Sequence, residues 1–320
     1  TRQALQFISR NRERPWFCFL SHHMIHGNVV APAELEAKYR RRGFTDEGPN
    51  RAVYLAGLET IDRSVGTLMT ELKEMNESDE TVVIFLSDNG GIDQRLEHRS
   101  LQKPHPLNPK LSPNLVEYSN APLRNGKGSI YEGGVRVPLI IRWPGVVKPG
   151  TVVDTPVHAV DLAPTLFEIV GHKPGDKYPL DGIDLRQVLG GKENLGDDET
   201  NDLNQRPIYQ YCPFYDLNWG LTPCASIRVG PHKLIEFFGD RFDADHQYIV
   251  GNNVELYDLD QDLGETRNIA EVDRDTARRL RAQLHQWMSE MDVQASRPNP
   301  YHVPDRAFET TSEKPPWFRE

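Results

Sequence analysis

The chain has 320 residues, of which 38% are hydrophobic and 26% are charged, and these are the proportions of an ordinary globular protein with a substantial core. Its net charge of -10 argues against a dedicated nucleic-acid-binding surface, so no nucleic-acid partner is expected. It contains no run of about 18 apolar residues, so no membrane span is predicted.

The first predicted elements form a strand–helix–strand unit. Residues 15–21 (PWFCFLS) are a continuous apolar run, typical of a strand buried on both faces. Apolar residues then recur every three or four positions from Leu58 to Met75, which predicts a helix, and residues 81–87 (TVVIFLS) predict a second buried strand. This order predicts a parallel crossover, which places the ends of both strands at one edge of a sheet.

The middle of the chain alternates predicted elements with polar connections. Residues 91–120 are polar, contain prolines and show no period, a pattern of functional or mobile connections. Residues 135–143 predict a third strand, and Asp161 is placed to cap a helix that ends at Gly171. Residues 190–205 are acidic and polar, and we expect a domain boundary there.

The last third of the chain predicts a small antiparallel sheet and a helix. Residues 225–229, 233–238 and 254–259 carry the strand patterns. The helix that follows has apolar residues on one face, from Leu280 to Met291.

Asp88 and Asn89 stand in the motif SDNGG, directly after the second predicted strand. Carboxylate and amide oxygens suit calcium or magnesium better than zinc, and the following glycines allow a ligand to approach the backbone closely. A turn at the end of a strand is the competing interpretation, because the same residue types are common in turns. Two ligands do not complete a calcium shell of about six to eight oxygens, so further ligands must come from elsewhere.

Two further groups could meet an anion. His22, His23 and His26 follow the first predicted strand, at the same predicted sheet edge as Asp88, where a histidine could bind an anion or protonate a leaving group. Lys127 lies in RNGKGS, where flanking glycines make an open loop that can present an ammonium group to a phosphate or sulfate. The spacing of a P-loop is absent. Structural histidines and a solvated loop lysine are the competing interpretations.

Taken together and in this order, the motifs resemble those of the type I sulfatases, arylsulfatase-like sulfuric ester hydrolases of the alkaline phosphatase superfamily. The matching segments are PWFCFLSHHMIHG, VVIFLSDNGG, PLRNGKGSIYEGGVRVPLIIRWPG, HAVDLAPTLFEIVG, ASIRVGPHKLI and VELYDLDQDLGETRNIAE. The resemblance implies an alkaline-phosphatase-like α/β/α sandwich, incomplete at its N-terminus, with a small C-terminal α+β domain. The implied boundaries are 1–205 for the catalytic portion, 206–296 for the small domain and 297–320 for an extended tail.

The resemblance also implies roles for individual residues. Asp88 and Asn89 match calcium ligands of the family, so Ca²⁺ is the implied cofactor. Lys127 matches the lysine that binds a sulfate oxygen. His26 matches the histidine that contacts the sulfate and the leaving-group oxygen, although Ile25 replaces the proline that usually precedes it. His26 and Lys127 are therefore the implied catalytic and substrate-binding residues.

The nucleophile of the family has no counterpart in this sequence. Sulfatases use a formylglycine made from Cys or Ser in a Cys/Ser-x-Pro/Ala-x-Arg motif, which precedes the equivalent of Pro15 together with an acidic pair and a further lysine and histidine. The segment from Cys224 to Arg228 copies the spacing, but Ser226 stands where Pro or Ala is needed. We therefore expect a chain that lacks the N-terminal part of the enzyme and is inactive alone.

The implied substrate is a sulfated small molecule or glycan, and the family suggests a periplasmic, secreted or lysosomal-type location. Two other functions stay open. One is a phosphatase or phosphodiesterase of the same superfamily, which the oxygen-only pair Asp88 and Asn89 disfavours because those enzymes use histidine-rich zinc sites. The other is a non-catalytic remnant that binds sulfate or glycans. The sequence defines neither the ester nor the oligomeric state.

Overall fold

The structure of the protein is a computed structural model. It describes residues 1–26, 29–45, 50–93, 119–172, 175, 179–189, 203–216, 221–242 and 248–295. The chain forms two compact units, one made of Thr1–Leu86 and Pro138–Thr151 and the other of Ser87–Val137 and Val152–Glu320. The domain boundaries given above stay predictions, and the predicted tail lies outside the described residues.

The first unit contains three helices and a two-stranded sheet among its described residues. Its elements are α1 (Arg2–Asn11), α2 (Ala33–Arg41), α3 (Ala52–Glu74), a 3₁₀ turn (Ser78–Glu80), β1 (Val83–Leu86) and β2 (Leu139–Arg142). The predicted helix is confirmed as α3, and the predicted second and third strands are confirmed as β1 and β2. The predicted burial of the second strand is wrong, because Phe85 and Leu86 are 37% and 38% exposed.

Helix α3 buries a face of small residues. Its buried residues are Ala52, Ala56, Gly57, Ser64 and Leu72, whereas Leu58 of the predicted apolar stripe is 39% exposed. A Cβ added to Gly57 would lie 3.1 Å from Val29 Cγ1 and 3.4 Å from Ile25 Cγ2. The absence of a side chain at Gly57 therefore lets the segment next to His26 run close over the helix.

The predicted first strand is not observed. Residues 15–21 are not part of any strand in the described chain, and Phe17 and Phe19 are 67% and 83% exposed. The prediction of a strand buried on both faces is therefore wrong for this structure. An apolar run shows that a segment gains free energy from burial, but it does not supply the neighbours that would bury it.

The predicted parallel crossover between residues 15–21 and 81–87 is also not observed, because residues 15–21 form no strand. Strand β1 pairs instead with β2, and these two strands are antiparallel. Val83 lies opposite Arg142, and Leu86 lies opposite Leu139. Arg142 of β2 also contacts the 3₁₀ turn that precedes β1, because its guanidinium donates to the Ser78 hydroxyl at 3.0 Å. The direction of pairing depends on which strand is the neighbour, and an apolar run of residues carries no such information.

The second unit contains the remaining described elements. These are α4 (Glu132–Val135), a 3₁₀ turn (Ala159–Asp161), α5 (Leu162–Ile169), α6 (Arg186–Leu189), β3 (Ile208–Cys212), β4 (Cys224–Val229), β5 (His232–Phe237), β6 (Arg241–Phe242), β7 (Tyr248–Ile249), β8 (Asn253–Asp258) and α7 (Arg274–Glu290). An antiparallel sheet has the order β3–β4–β5–β8, and β6 pairs with β7. The predicted C-terminal sheet and helix are confirmed, whereas strand β3 was not predicted.

Helix α7 covers one face of this sheet. Leu280 and Leu284 are fully buried in a cluster with strand residues such as Leu234. The Asp273 carboxylate accepts the N–H of Thr276 at 3.1 Å and thereby caps the first turn of the helix. Met291, predicted on the apolar face, follows the last helical residue and is 53% exposed.

The other face of the sheet packs against the segment that begins α4. Cys224, Ile235 and Tyr257 point to this face and form one buried cluster with Ile130 and Tyr131. The alternation of side chains along β4, β5 and β8 therefore separates the α7 face from the face that supports the segment after Lys127.

Asp161 has a different role from the predicted one. Helix α5 does follow it, and Gly171 lies just beyond the helix with φ +65°. The Asp161 carboxylate, however, makes no cap bond to α5. It accepts from the N–H of His158 at 2.7 Å and of Ile183 at 2.9 Å, and from both terminal nitrogens of Arg206 at 2.7 and 2.6 Å.

Most of the polar connection predicted at 91–120 and most of the boundary predicted at 190–205 lie outside the described residues. Within the part of the chain that is described, no helix is long and apolar enough to cross a membrane.

Candidate active site

Backbone hydrogen bonds join the SDNGG turn to the loop that carries Lys127. The N–H of Lys127 donates to the carbonyl oxygen of Gly91 at 3.0 Å. The N–H of Gly90 donates to the carbonyl oxygen of Gly134, also at 3.0 Å. Because each loop is bonded at two positions, the turn with Asp88 and the loop with Lys127 form one assembly of the second unit, which we call the paired loops.

Asn120 is a third connection within the paired loops. Its side-chain oxygen accepts the N–H of Gly91 at 3.0 Å. Its side-chain nitrogen donates to the carbonyl oxygens of Gly91 and Asn125, both at 2.9 Å. Our sequence reasoning missed this residue, because a single asparagine in a polar segment carries no signal of its own.

The paired loops approach each other at distances that only glycine allows. A Cβ added to Gly90 would overlap the carbonyl oxygen of Gly133, and one added to Gly126 would overlap the carbonyl oxygen of Gly91. Gly134 is equally close to the carbonyl oxygen of Ser129. The glycines in SDNGG, NGKG and EGG are therefore needed for main-chain packing.

Asp88 and Asn89 present oxygen atoms at the end of the turn. Asp88 is exposed, and its Oδ1 accepts the N–H of Asn89 at 3.0 Å. The side-chain nitrogen of Asn89 donates to the carbonyl oxygen of Gly90 at 2.9 Å, which leaves its amide oxygen as the polar atom that a cation would meet. This donor set fits a hard cation such as calcium in chemical type.

The same donor set is too small for a complete calcium shell of about six to eight oxygens. In the described ranges, no three His, Cys, Asp or Glu side chains come together as a metal-binding group. The calcium ligation predicted for Asp88 and Asn89 therefore stays a prediction.

Lys127 is half-buried at the centre of its loop. The residues on either side of it include Asn125 with φ +57° and Gly128 with φ +82°, so the loop bends sharply around the lysine. An ammonium group held by such a loop can stabilise an anion near the SDNGG turn. Its contact with sulfate stays a prediction.

The histidine cluster of the first unit divides into two parts. His22 Nε2 lies 3.2 Å from the Ser64 hydroxyl of α3, and partial burial, assisted by the charge of the N-terminus, lowers the pKa of His22. His23 and His26 are exposed, and their ring centroids are 4.9 Å apart. His22 therefore contacts α3 through Ser64. The role of His26 in contacting sulfate stays a prediction.

Arg124 anchors the Lys127 loop to the C-terminal sheet. Its guanidinium carbon lies 3.8 Å from the centroid of the Tyr131 ring. The same guanidinium donates to the Tyr257 hydroxyl at 2.9 Å and to the carbonyl oxygen of Glu265 at 2.8 Å. A stacked, doubly bonded arginine of this kind holds its loop more rigidly than a surface charge would.

A buried ion cluster supports the far end of the loop. Lys233 Nζ lies 2.8 Å from Glu132 Oε1 and 3.0 Å from Glu265 Oε1, and all three residues are at most 3% exposed. Glu132 also donates its backbone N–H to Glu265 Oε2 at 2.6 Å. The loop that carries Lys127 is thus bonded to β5 through charges that water does not screen.

The two carboxylates of this cluster differ in pKa. Burial raises the pKa of Glu132, but Lys233, with Arg228 and Arg136, outweighs it and lowers the pKa overall. For Glu265, burial raises the pKa, whereas Lys233 and the N–H of Glu132 lower it. The effect of burial is the larger, so the pKa of Glu265 is raised overall. Glu132 therefore loses its proton more readily than Glu265 does.

The second unit combines helices with a sheet, and its paired loops carry oxygen donors and a lysine. The family profile described as Sulfatase matches residues 1–172, more than half of the chain. The chain therefore belongs to the sulfatase family. A second profile, described as N-sulphoglucosamine sulphohydrolase, C-terminal, matches residues 125–294.

Curated relatives are sulfatases of bacteria, yeast and mammals. The chain is 30% identical to a sulfatase of Formosa agariphila over 296 residues, and the alignment covers 86% of this chain and 46% of the relative. It is 32% identical to the steryl-sulfatase of Mus musculus over 214 residues, which are 67% of this chain and 29% of the relative. It is also 32% identical to an uncharacterized sulfatase of Schizosaccharomyces pombe over 258 residues, which are 74% of this chain and 42% of the relative. The chain spans less than half the length of these relatives.

Solved structures show the same fold. The crystal structure of Ps i-CgsB superimposes on this chain with a TM-score of 0.66 and 27% sequence identity, and the match covers 89% of this chain and 53% of that chain. The putative sulfatase yidJ from Bacteroides fragilis superimposes with a TM-score of 0.60 and 22% sequence identity, and the match covers 91% of this chain and 58% of that chain. The predicted alkaline-phosphatase-like α/β fold is therefore confirmed.

Proposed function

We propose that this chain is part of an enzyme that hydrolyses a sulfate monoester with the help of calcium. The observation that carries this proposal is the hydrogen bond from the Lys127 N–H to Gly91, which joins the lysine loop to the turn of Asp88 and Asn89. Two positive charges near one anion, an ammonium group and a cation, would neutralise the charge that develops on sulfate oxygens. Membership of the sulfatase family supports the sulfate ester as the substrate.

Asp88 and Asn89 would supply two of the calcium ligands. The bonding of the Asn89 amide nitrogen to Gly90 supports this, because it fixes the amide so that its oxygen is available. Bound calcium would act as a Lewis acid toward a sulfate oxygen. Further oxygen ligands would have to come from residues other than these two.

Lys127 would hold one sulfate oxygen through its ammonium group. His26 would donate a hydrogen bond or a proton to the ester oxygen as it departs. The nucleophile would be a formylglycine carried by a longer form of the protein. The chain by itself would then bind parts of the substrate but would not turn it over.

The substrate would be a sulfated small molecule or a glycan. The names of similar proteins support both substrate classes. One relative is named a steryl-sulfatase, and Ps i-CgsB has been crystallised with k-i-k-neocarrahexaose. A periplasmic, secreted or lysosomal-type location would suit such substrates.

The test is hydrolysis of a generic aryl sulfate, with and without calcium, by this chain and by a form extended to the length of its relatives. We expect no turnover by the chain and calcium-dependent turnover by the extended form. Turnover by the chain that is lost in Cys224→Ser would overturn the idea of an external nucleophile.

Two other outcomes would favour the competing functions. Zinc dependence together with a preference for aryl phosphate would indicate a phosphatase or phosphodiesterase. An extended form that binds sulfated ligands without hydrolysing them would indicate a binding protein.

A further inference from the structure

Two cysteines face each other across neighbouring strands of the C-terminal sheet. Cys212 is the last residue of β3 and Cys224 the first of β4, and their Cα atoms are direct partners in the antiparallel register. Direct partners of this kind have Cα atoms about 4.5–5.5 Å apart. A disulfide spans Cα distances of about 4.4–6.8 Å, so the backbone already provides the spacing that a cross-link needs.

The surroundings of the two thiols are unequal. Cys224 is fully buried in the cluster that contains Tyr131 and Ile235, and Cys212 packs against that cluster while remaining half-exposed. A hydrogen bond from Cys224 lowers the pKa of Cys212 to about 7, and the same pairing, with burial, raises the pKa of Cys224. The more accessible thiol is thus the more reactive one near neutral pH.

The position of β3 allows the small approach that a disulfide requires. The Cβ atoms of facing residues are about 4.5–5.5 Å apart, whereas those of a disulfide are about 3.5–4.5 Å apart. Strand β3 is at the edge of the sheet, and Cys212 is its last residue, followed by Pro213. An edge strand can shift at its end without displacing a second neighbour, so the central strand β4 need not move.

We propose that Cys212 and Cys224 are a site of reversible disulfide formation, which cross-links β3 to β4 when a disulfide-bearing oxidant is present. The Cys212 thiolate attacks one sulfur of the oxidant, forms a mixed disulfide and releases the first oxidant thiolate. The Cys224 thiol then attacks the Cys212 sulfur and passes its proton to the second oxidant sulfur, which leaves as a thiol. In total two protein thiols lose two protons and two electrons, and the oxidant disulfide is reduced to two thiols.

The cross-link lies in the sheet face that supports the paired loops. Cys224 shares its buried cluster with Ile130 and Tyr131, which follow Lys127 in the chain. Formation of the bond would fix the edge of that sheet. This inference depends only on the geometry of the two strands, so it does not require the proposed sulfatase activity.

The test is oxidation of the folded, fully reduced chain by glutathione disulfide at neutral pH, followed by alkylation of the remaining thiols. The sequence has three cysteines, so we expect the count of free thiols to fall from three to one, with Cys18 still alkylated. Trypsin leaves Cys212 and Cys224 in one peptide, because Arg206 precedes a proline and the next basic residue is Arg228. That peptide should lose two hydrogen atoms in mass.

Chymotrypsin provides the second readout, since cleavage after Tyr215 separates the two cysteines and leaves their peptides joined only by the disulfide. Cys18→Ser should still form the link, whereas Cys212→Ser, a change on the half-exposed edge strand, should abolish it. Retention of all three thiols, accumulation of glutathione on Cys212 without exchange, or pairing through Cys18 would each overturn the proposal.

Discussion

Lys127 donates its backbone N–H to the carbonyl oxygen of Gly91 at 3.0 Å, and this bond joins a lysine loop to an oxygen-donor turn. The connection is made by the main chain, so it does not depend on the ammonium group of Lys127. The carboxylate of Asp88 is likewise not part of it. Main-chain bonding therefore sets the position of these groups and leaves their chemistry to the side chains.

The first prediction concerns the close approach at Gly126. A Cβ at this position would overlap the carbonyl oxygen of Gly91, so Gly126→Ala should separate the paired loops. We expect the free energy of unfolding to fall by about 1–3 kcal/mol, the usual cost of overpacking. Urea unfolding of the purified chain measures this change.

The matched control for this glycine is Gly66→Ala. Gly66 lies within α3, and a Cβ there would meet nothing within 4 Å. Alanine is the better helix former, so this variant should be as stable as the parent or more stable by up to about 1 kcal/mol. Equal losses in both variants would show that the overlap at Gly91 is not the cause.

The second prediction concerns the buried ion cluster. Lys233→Met would leave Glu132 and Glu265 buried without their shared cation, and we expect a loss of about 3–5 kcal/mol in the free energy of unfolding at pH 7. The loss should shrink in acid, because the two carboxyl groups can then take up protons. Arg278→Met removes the partner of an exposed pair with Asp275, so it should cost at most about 1 kcal/mol. Similar losses in the two variants would contradict the prediction.

The third prediction uses the pKa of Asp161. Burial raises this pKa, but the Arg206 hydrogen bonds and the N–H groups of His158 and Ile183 outweigh it, so the pKa is lowered overall. A carboxyl group with a lowered pKa stabilises the fold above its unfolded pKa of about 3.9, and this contribution disappears as the pH falls through the folded pKa. Asp161→Asn should therefore destabilise the protein at pH 7 by about 3 kcal/mol, the lower end for a broken buried pair.

Urea unfolding at pH 7, 5 and 3 checks the pH dependence. The difference between Asp161→Asn and the parent should be constant from pH 7 to 5 and should narrow below the unfolded pKa of about 3.9. Asp275→Asn is the control, because its carboxylate is 96% exposed and should make little difference at any of the three pH values. A gap for Asp161→Asn that persists unchanged into acid would show that packing, and not the charge, is responsible.

Local sequence patterns predict which segments form helices and strands better than they predict which segments pair or pack with each other. The three- and four-residue spacing around Leu72 predicts α3 because the period of a helix is a property of the segment itself. The run at 15–21 is as apolar as a buried strand, yet Phe19 is 83% exposed, because burial also requires neighbours. The antiparallel pairing of Val83 with Arg142 follows from topology, which single-segment patterns do not contain.

The same limit applies to the candidate site. SDNGG and the Lys127 loop are visible in the sequence because unusual residue types stand side by side there. Lys233 lies 101 positions from Glu132, so the pair has no local signature. The facing of Cys212 and Cys224 depends on the register of β3, a strand that the sequence pattern did not predict.

The last prediction tests Lys127 in a form of the protein extended to the length of its relatives. Lys127→Ala would remove a positive charge from the sulfate site, and a preorganised donor of this kind is worth on the order of 100- to 1000-fold in kcat. Lys73→Ala, at an exposed position near the end of α3, removes the same charge elsewhere and should leave kcat/KM unchanged. Steady-state hydrolysis of an aryl sulfate at saturating calcium compares the two variants. A loss in Lys127→Ala no larger than in Lys73→Ala would mean that Lys127 does not contact the reacting sulfate, and the paired loops would then serve only to hold the fold together.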